Sequence, residues 1–256
     1  LIGNHTGIST TGITSLGNAE QKQRFLPKMA SGEWVGAFAL TEPQAGSEPA
    51  SMRTMAVKKG DRYVLNGEKI YITNAGPAHV FTVMAITDKS KGIKGISAFV
   101  VERNTPGFSV GKNELKMGMH GCTTAPLSFT DCEVPAENLL GAEGMGYVQA
   151  MKTLTAGRVT VSARCCGMMD KLIDQTAEYM KTRTQGGKRL ADHQGLQWML
   201  ADMSIQLDAS RLLIHRAANV PLGSFPDVKQ AAQAKIYAAE TAIKVTNDAL
   251  QLYGSS

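Results

Sequence analysis

The pattern of apolar residues changes near Trp34 and again after about Asn138, and these two changes constrain the fold more than any single motif. Between them, short apolar or alternating runs are separated by turn signals such as Lys59-Gly60-Asp61 and Asn66-Gly67, which is typical of β-strands. The runs are 56–58, 63–65, 81–87, 95–101 and 127–130. We predict a β-barrel or sandwich of about seven or eight strands.

Helical periodicity takes over from Gly146. We predict helices over 147–179, 193–219 and 227–252, joined by short connections into an antiparallel bundle. Ahead of the strands, Asn18 is placed to cap a short helix that Pro27 should interrupt or restart. The predicted fold class is therefore α+β. Its expected domains are a helical segment at 1–35, a strand domain at 36–140 and a helical bundle at 146–256.

The composition of the 256-residue chain excludes several classes of protein. With 43% hydrophobic residues the chain can bury a large core, so it is neither disordered nor fibrous. The net charge of +5 comes from scattered lysines and arginines, which argues against nucleic-acid binding but suits a phosphate-bearing ligand. No run of about 18 apolar residues is present, so membrane insertion is not expected. Four cysteines without disulfide or CxxC spacing fit a reducing compartment, and dispersed histidines predict no metal site.

Two stretches of the strand region carry groups that suit a polar ligand. Residues 38–47 begin as an apolar strand and break at Glu42-Pro43 into a loop that offers backbone N–H groups and hydroxyls. Residues 69–74 form a second strand, in which alternation places Tyr71 and Thr73 on one face. A ring and a hydroxyl on one face would suit a planar heterocycle. The same pattern also fits an ordinary half-buried strand, and the residues alone do not decide between the two.

Both stretches, with their spacing, resemble the flavin-binding segments of the acyl-CoA dehydrogenase family. The resemblance continues through further motifs and covers nearly the whole chain. Those motifs are 107–109, 115–119, 129–135, 138–141 and 200–203. The resemblance implies the family's fold, with a central β-barrel between two helical domains. Because members of the family are longer at both ends, we expect a fragment that lacks most of the N-terminal helical domain and the last helices.

The resemblance implies that FAD lies against the two stretches. Thr41 would hydrogen-bond the pyrimidine edge of the flavin, and Ser47 would hydrogen-bond the pyrophosphate. Tyr71 would stack on the flavin face, and Thr73 would reach the ring edge near N5. The full set of flavin contacts implied in this way is Phe38, Leu40, Thr41, Gly46, Ser47, Tyr71, Ile72 and Thr73.

The ADP half of FAD is bound in this family by a neighbouring subunit. The corresponding residues are Arg183, His193, Gln194, Gln251 and Gly254. The chain departs from the family pattern at Gly186, where relatives commonly carry Phe. We expect Gly186 to remove an apolar contact and to loosen the loop, which would weaken FAD retention.

For the acyl-CoA substrate, the resemblance implies contacts from Ser47, Thr155, Gly157 and Arg158. The reaction needs a carboxylate base to remove the weakly acidic α-proton of the thioester. One branch of the family places that Glu at the position of Gly157, which cannot abstract a proton. Glu42 is interpreted as structural. The base is therefore expected beyond Ser256, and no catalytic residue is assigned within the chain.

The resemblance implies FAD-dependent dehydrogenation of an acyl-CoA thioester to a trans-2-enoyl-CoA in fatty acid or amino acid catabolism, with electrons passed to an electron-transfer flavoprotein. Other chemistries on the same fold and FAD stay open, namely an acyl-CoA oxidase, an enoyl-CoA reductase or a base-less desulfinase. A truncated member without activity is a further alternative. The family's usual assembly is a homotetramer with FAD sites shared between subunits. The expected location is cytoplasmic in a bacterium and the mitochondrial matrix in a eukaryote.

Overall fold

The computed structural model describes residues 2–221 and 223–255. The chain divides into two compact units, one ending at Leu154 and the next beginning at Thr155. The outer limits of the predicted domains, Leu1 and Ser256, lie outside the described residues. In the part of the chain that is described, no helix is long and apolar enough to cross a membrane.

The first unit begins with helices. They are α1 (Ile2–Asn4), a π-helical turn (His5–Ser9), α2 (Thr10–Leu16) and α3 (Ala19–Ala30). Asn18 caps α3 as predicted: its Oδ1 accepts from Gln21 N at 2.8 Å, and its own N–H donates to the Gln21 side chain at 3.0 Å.

The expectation that Pro27 breaks this helix is wrong, because α3 continues through Pro27 to Ala30. Proline removes one backbone hydrogen bond and crowds the preceding turn. Phe25 and Met29, two residues to either side, are 0% and 2% exposed. Burial of two large apolar side chains offsets the loss of one bond.

Eight strands of the first unit form one hydrogen-bonded sheet, which agrees with the predicted number. The strands are β1 (Gly36–Ala39), β2 (Met55–Lys59), β3 (Arg62–Thr73), β4 (Val80–Ile86), β5 (Ile96–Glu102), β6 (Phe108–Val110), β7 (Thr124–Pro135) and β8 (Leu139–Leu140). The path runs β6-β7-β3-β2-β4-β5-β8, and β1 pairs in parallel with β4. Alternate residues of β4 pack into two different apolar clusters. Phe81 and Val83 belong to the first cluster, and Val80 and Met84 belong to the second. Both faces of the sheet are therefore covered.

Asn66-Gly67 is not the turn between strands that the sequence predicts, because β3 runs unbroken through it. The pairing of β3 with β7 shifts register between Leu65 and Gly67, so the dipeptide forms a bulge. Gly67 has φ 146°, and a Cβ there would lie 2.6 Å from Thr54 Oγ1. Pairing with a distant strand overrides the local turn propensity.

The second unit is helical, as predicted. Its elements are the later part of α4 (Gly146–Thr182), a hairpin of β9 (Thr184–Gln185) and β10 (Lys188–Arg189), α5 (Gln194–Ala218) and α6 (Val228–Tyr253). The predicted helices agree with α4, α5 and α6 to within a few residues. The α6 N-cap is Asp227, whose Oδ1 accepts from Gln230 N at 2.9 Å. The core of this unit contains many small side chains, which allow close helix packing, among them Ala217, Ala231, Ala234, Ala238 and Ala249.

Candidate functional site

A bulge near the end of β3 presents the ring of Tyr71 to solvent. Register with β7 shifts between Lys69 and Ile72, and Tyr71 lies in the left-handed region at φ 56°. Its side chain is 63% exposed, whereas Ile72 is 2% exposed. The alternation is interrupted between Lys69 and Ile72, which are both buried although three residues apart, and the bulge between them sets the direction of the Tyr71 ring. Bulky residues adopt this conformation at a cost, and such strain concentrates at functional sites.

The loop that follows β1 lies beside this bulge. The N–H of Ile70 donates to the carbonyl oxygen of Thr41 at 2.9 Å. Two stretches that the sequence assigned to one ligand are thus adjacent in the structure. We refer to Thr41, Tyr71 and Thr73 as the ring wall. Thr41 and Thr73 are half-buried, so the wall is only partly withdrawn from solvent.

A tight turn leads from the ring wall to exposed polar groups. Glu42 N donates to Ala45 O at 3.2 Å and Ala45 N to Glu42 O at 3.0 Å, which closes the turn. Gly46 and Ser47 follow it and are exposed. No atom lies within 4 Å of a Cβ built on Gly46, so a ligand can approach the backbone closely there.

Three of the predicted flavin contacts have side chains that belong to the apolar core. Phe38, Leu40 and Ile72 are 8%, 6% and 2% exposed. Their side chains pack inside the unit, so only their backbone groups remain for a ligand.

An ion pair that the sequence interpretation missed lies beneath the ring wall. Lys69 Nζ is 2.7 Å from Glu42 Oε1, and the two side chains are 0% and 2% exposed. The same ammonium donates to Leu40 O at 3.1 Å. The interpretation of Glu42 as a structural residue agrees with this burial. The available signal was a single charge, of opposite sign, in each of two otherwise uncharged segments, 38–47 and 69–74.

The Glu42 carboxylate is fully occupied by donors. Its Oε2 accepts from Arg53 N at 2.6 Å and from Gln44 Nε2 at 2.7 Å, and its Oε1 accepts from Thr54 N at 3.1 Å. Burial by itself raises the pKa of Glu42. The charge of Lys69 and these hydrogen bonds outweigh burial, so the pKa lies below its ordinary value. Burial also lowers the pKa of Lys69, to about 8, against the attraction of Glu42.

A second residue missed from the sequence, Arg103, fixes the chain just after the ring wall. Its Nη1 donates to the carbonyl oxygens of Ala75, Gly76 and Ala78 at 3.0, 2.7 and 3.0 Å. The guanidinium group therefore adds to the backbone hydrogen bonds that hold the segment after Thr73.

The donor set fits the cofactor that the resemblance implies. An exposed aromatic ring can cover one face of a flavin, and hydroxyls beside it can bond the polar edge of the heterocycle. Exposed Ser47 and the open backbone at Gly46 suit a phosphate. No cluster of three potential metal ligands occurs among the described side chains.

On the second unit, two predicted substrate residues contact each other on α4. Arg158 Nη1 donates to Thr155 Oγ1 at 3.2 Å, because residues three apart share a helix face. Thr155 is buried, and Gly157 and Arg158 are half-buried.

The residues predicted to bind the ADP half of FAD lie at one end of the second unit. Arg183 directly follows α4, and His193 Nε2 lies 3.2 Å from Gln185 O in the hairpin. The rings of Tyr179 and Tyr253 stack with centroids 4.4 Å apart, which places the end of α6 beside the end of α4. The remaining predicted contacts of this group, Gln194, Gln251 and Gly254, begin α5 and end α6.

Gly186 lies in a tight hairpin turn, and its expected effect on FAD retention stays a prediction. Gly186 and Gly187 have φ 60° and 76° and form the two-residue turn of the β9–β10 hairpin. Two positive φ values are what the commonest tight hairpin turn requires, and glycine adopts them without strain. The two glycines therefore define the loop.

The sequence matches three descriptions of one family. They are the acyl-CoA dehydrogenase N-terminal domain over 1–33, the middle domain over 37–132 and the C-terminal domain over 144–256. The short-chain specific acyl-CoA dehydrogenase of Clostridium acetobutylicum is 44% identical over 98% of this chain and 66% of its own length. The caffeyl-CoA reductase-Etf complex subunit CarC of Acetobacterium woodii is 42% identical over 93% of this chain and 63% of its own length.

A solved structure supports the same relationship. The butyryl-CoA dehydrogenase of Megasphaera elsdenii superimposes with a TM-score of 0.95 and 43% identity, over 99% of this chain and 67% of that chain. The chain thus spans about two thirds of the length of the relatives it matches.

Proposed function

Since this chain belongs to the acyl-CoA dehydrogenase family, we propose that the protein it represents removes two hydrogens from the α and β carbons of a short acyl-CoA thioester. The product would be a trans-2-enoyl-CoA. The family consists of FAD-dependent flavoproteins. The observation that carries the proposal is the ring wall, in which an exposed Tyr71 ring stands on a strained bulge that is hydrogen-bonded to the loop of Thr41.

Several residues of the chain are proposed to hold FAD, which when bound would accept the hydride from the β carbon. Tyr71 covers one face of the ring system, and the hydroxyls of Thr41 and Thr73 donate to its polar edge. Donors held at that edge favour the negative charge that develops there on reduction. Ser47 and the backbone at Gly46 bind phosphate. On the second unit, the residues named above for the ADP half serve a neighbouring subunit.

The thioester is proposed to contact Ser47, Thr155 and Arg158. A guanidinium group suits the phosphates of coenzyme A. The general base is proposed to come from chain beyond Ser256. Gly157 has no side chain to accept a proton, and Glu42 is engaged by four donors in a buried ion pair.

The partners and assembly are proposed from the family. Electrons would pass to an electron-transfer flavoprotein, which is consistent with the relative named as part of an Etf complex. A homotetramer with shared FAD sites would use the ADP-binding end of the second unit. The relatives named above are bacterial, so the proposed location is the cytoplasm.

A second candidate is the reverse reaction, reduction of an enoyl-CoA. It is favoured by the relative named as a caffeyl-CoA reductase, which is 42% identical. The same wall and base would serve both directions, so the residues do not separate the two reactions.

Anaerobic mixing of the purified flavoprotein with saturated acyl-CoA thioesters, beginning with butyryl-CoA, tests the proposal. Bleaching of the flavin is expected for a dehydrogenase. Both candidates allow the flavin half-reaction in either direction, so steady-state rates separate them. A dehydrogenase turns over faster from butyryl-CoA to an artificial electron acceptor, whereas a reductase turns over faster from an artificial electron donor to the enoyl-CoA. A protein that copurifies with flavin but responds to neither thioester would contradict both candidates.

A further inference from the structure

We propose that Lys69 and Glu42 are positioning residues of the flavin site, whose buried ion pair sets the spacing between Thr41 and Tyr71. The inference rests on the proposed function. It gives a role to two residues that lie beneath the ring wall and are not among the proposed cofactor or substrate contacts.

The ammonium group of Lys69 joins both halves of the wall. Lys69 lies two residues before Tyr71 in β3, and its Nζ donates to the carbonyl oxygen of Leu40 at 3.1 Å, one residue before Thr41. The same Nζ is 2.7 Å from Glu42 Oε1, one residue after Thr41. Thr41 is thus held from both sides by a group that belongs to the opposite segment.

The carboxylate of Glu42 is itself fixed to a third element. It accepts from the N–H groups of Arg53 and Thr54 at 2.6 and 3.1 Å, immediately before β2. A carboxylate bound by two backbone donors cannot turn to follow a displaced lysine. Glu42 therefore fixes the position of Lys69 relative to the sheet as well as to the loop.

Stability alone does not account for such a pair. Removing two charges from water costs several kcal/mol per ion, and well-packed apolar side chains in the same place are often as stable or more stable. What an apolar pair does not provide is directional bonds to Leu40 O and to the backbone at Arg53 and Thr54. Directional bonds fix the positions of the two segments relative to each other, and a site for a rigid planar cofactor requires such fixed positions.

The double variant Lys69→Met/Glu42→Gln tests the inference. It removes both buried charges together, so neither is left unpaired, and the amide oxygen introduced by Glu42→Gln still accepts from one of the two backbone donors. We therefore expect the variant to fold. The flavin-free protein is titrated with FAD, and the visible circular dichroism of the bound flavin is recorded. We expect the dissociation constant to rise about tenfold or more and the spectrum to change.

Val101→Ala is the matched control, since it opens the buried core on β5 and lowers stability without altering the ring wall. An equal loss of affinity in the control, or wild-type affinity and spectrum in the double variant, would overturn the inference. Glu42→Asp retains the negative charge on a side chain that is one methylene shorter. This variant replaces the double variant in the test if the double variant does not fold. Wild-type affinity and spectrum in Glu42→Asp would overturn the inference as well. Wild-type protein that binds no FAD would instead refute the proposed function, and this inference with it.

Discussion

The backbone N–H of Ile70 donates to the carbonyl oxygen of Thr41 at 2.9 Å, and this bond joins the bulge of β3 to the loop after β1. It uses backbone groups alone, which leaves the side chains at positions 41 and 71 to face a ligand. The ring wall is therefore a property of how two distant segments are joined.

Tyr71→Asn should separate binding from stability. Asn tolerates the left-handed conformation that Tyr71 adopts at φ 56°, so the free energy of unfolding should stay unchanged or rise by about 1 kcal/mol. Loss of the ring should weaken FAD binding several-fold, since aromatic stacking contributes about 0.5–1.5 kcal/mol. Urea unfolding and FAD titration measure the two effects. Tyr71→Phe is the control and should retain both wild-type values; equal FAD affinity in the two variants would contradict a stacking role.

Gly67→Ala should destabilise the first unit by about 3 kcal/mol or more, because the new Cβ would strike Thr54 and the backbone has φ 146°. Gly60→Ala is the matched control. Gly60 also has a positive φ, 62°, but no atom lies within 4 Å of its Cβ position, so the cost there should be about 1 kcal/mol. Urea unfolding compares the two, and similar values would show that close approach to Thr54 is unimportant.

Acid should weaken the fold through Glu42. The pKa of this carboxyl in the folded state lies below its ordinary value of 4.5. Between these two pKa values the unfolded chain therefore binds more protons than the folded chain. Stability from this group is present above about pH 4.5 and is lost as the pH falls through the folded pKa. The difference in free energy of unfolding between wild type and Glu42→Gln should therefore shrink on acidification, as measured by urea unfolding from pH 6 to pH 3. A difference that stays constant with pH would exclude Glu42 as the group responsible.

Arg103→Met should loosen the chain that follows Thr73. Three carbonyl oxygens lose their shared donor, and we expect a loss of about 1–2 kcal/mol and faster amide hydrogen exchange over 74–79. Arg62→Met is the control, because Arg62 pairs at the surface with Glu133, where an ion pair contributes less than about 1 kcal/mol. Unchanged exchange in Arg103→Met would mean that the backbone holds this segment without the guanidinium group.

The sequence was sufficient for features that depend on neighbouring residues. The cap at Asn18, the three long helices and the number of strands all follow from side-chain periodicity and capping within a few residues along the chain. Hydroxyls and a ring that interrupt the apolar pattern singled out two segments that suit a polar ligand, but only the family resemblance assigned them to FAD. The interpretation of Pro27 failed because the burial of Phe25 and Met29 is not visible in local propensity.

By itself, then, the sequence determined the order of elements and the fold class, and it indicated the residues that are proposed to bind a cofactor. Only the tertiary structure decided that Asn66-Gly67 bulges instead of turning, that the Tyr71 ring points outward, and that Lys69 meets Glu42 beneath the ring wall. The physical reason is the same in each case. These features depend on hydrogen bonds and close contacts between segments far apart in the chain, and the free energy of such contacts exceeds the preference of any short stretch.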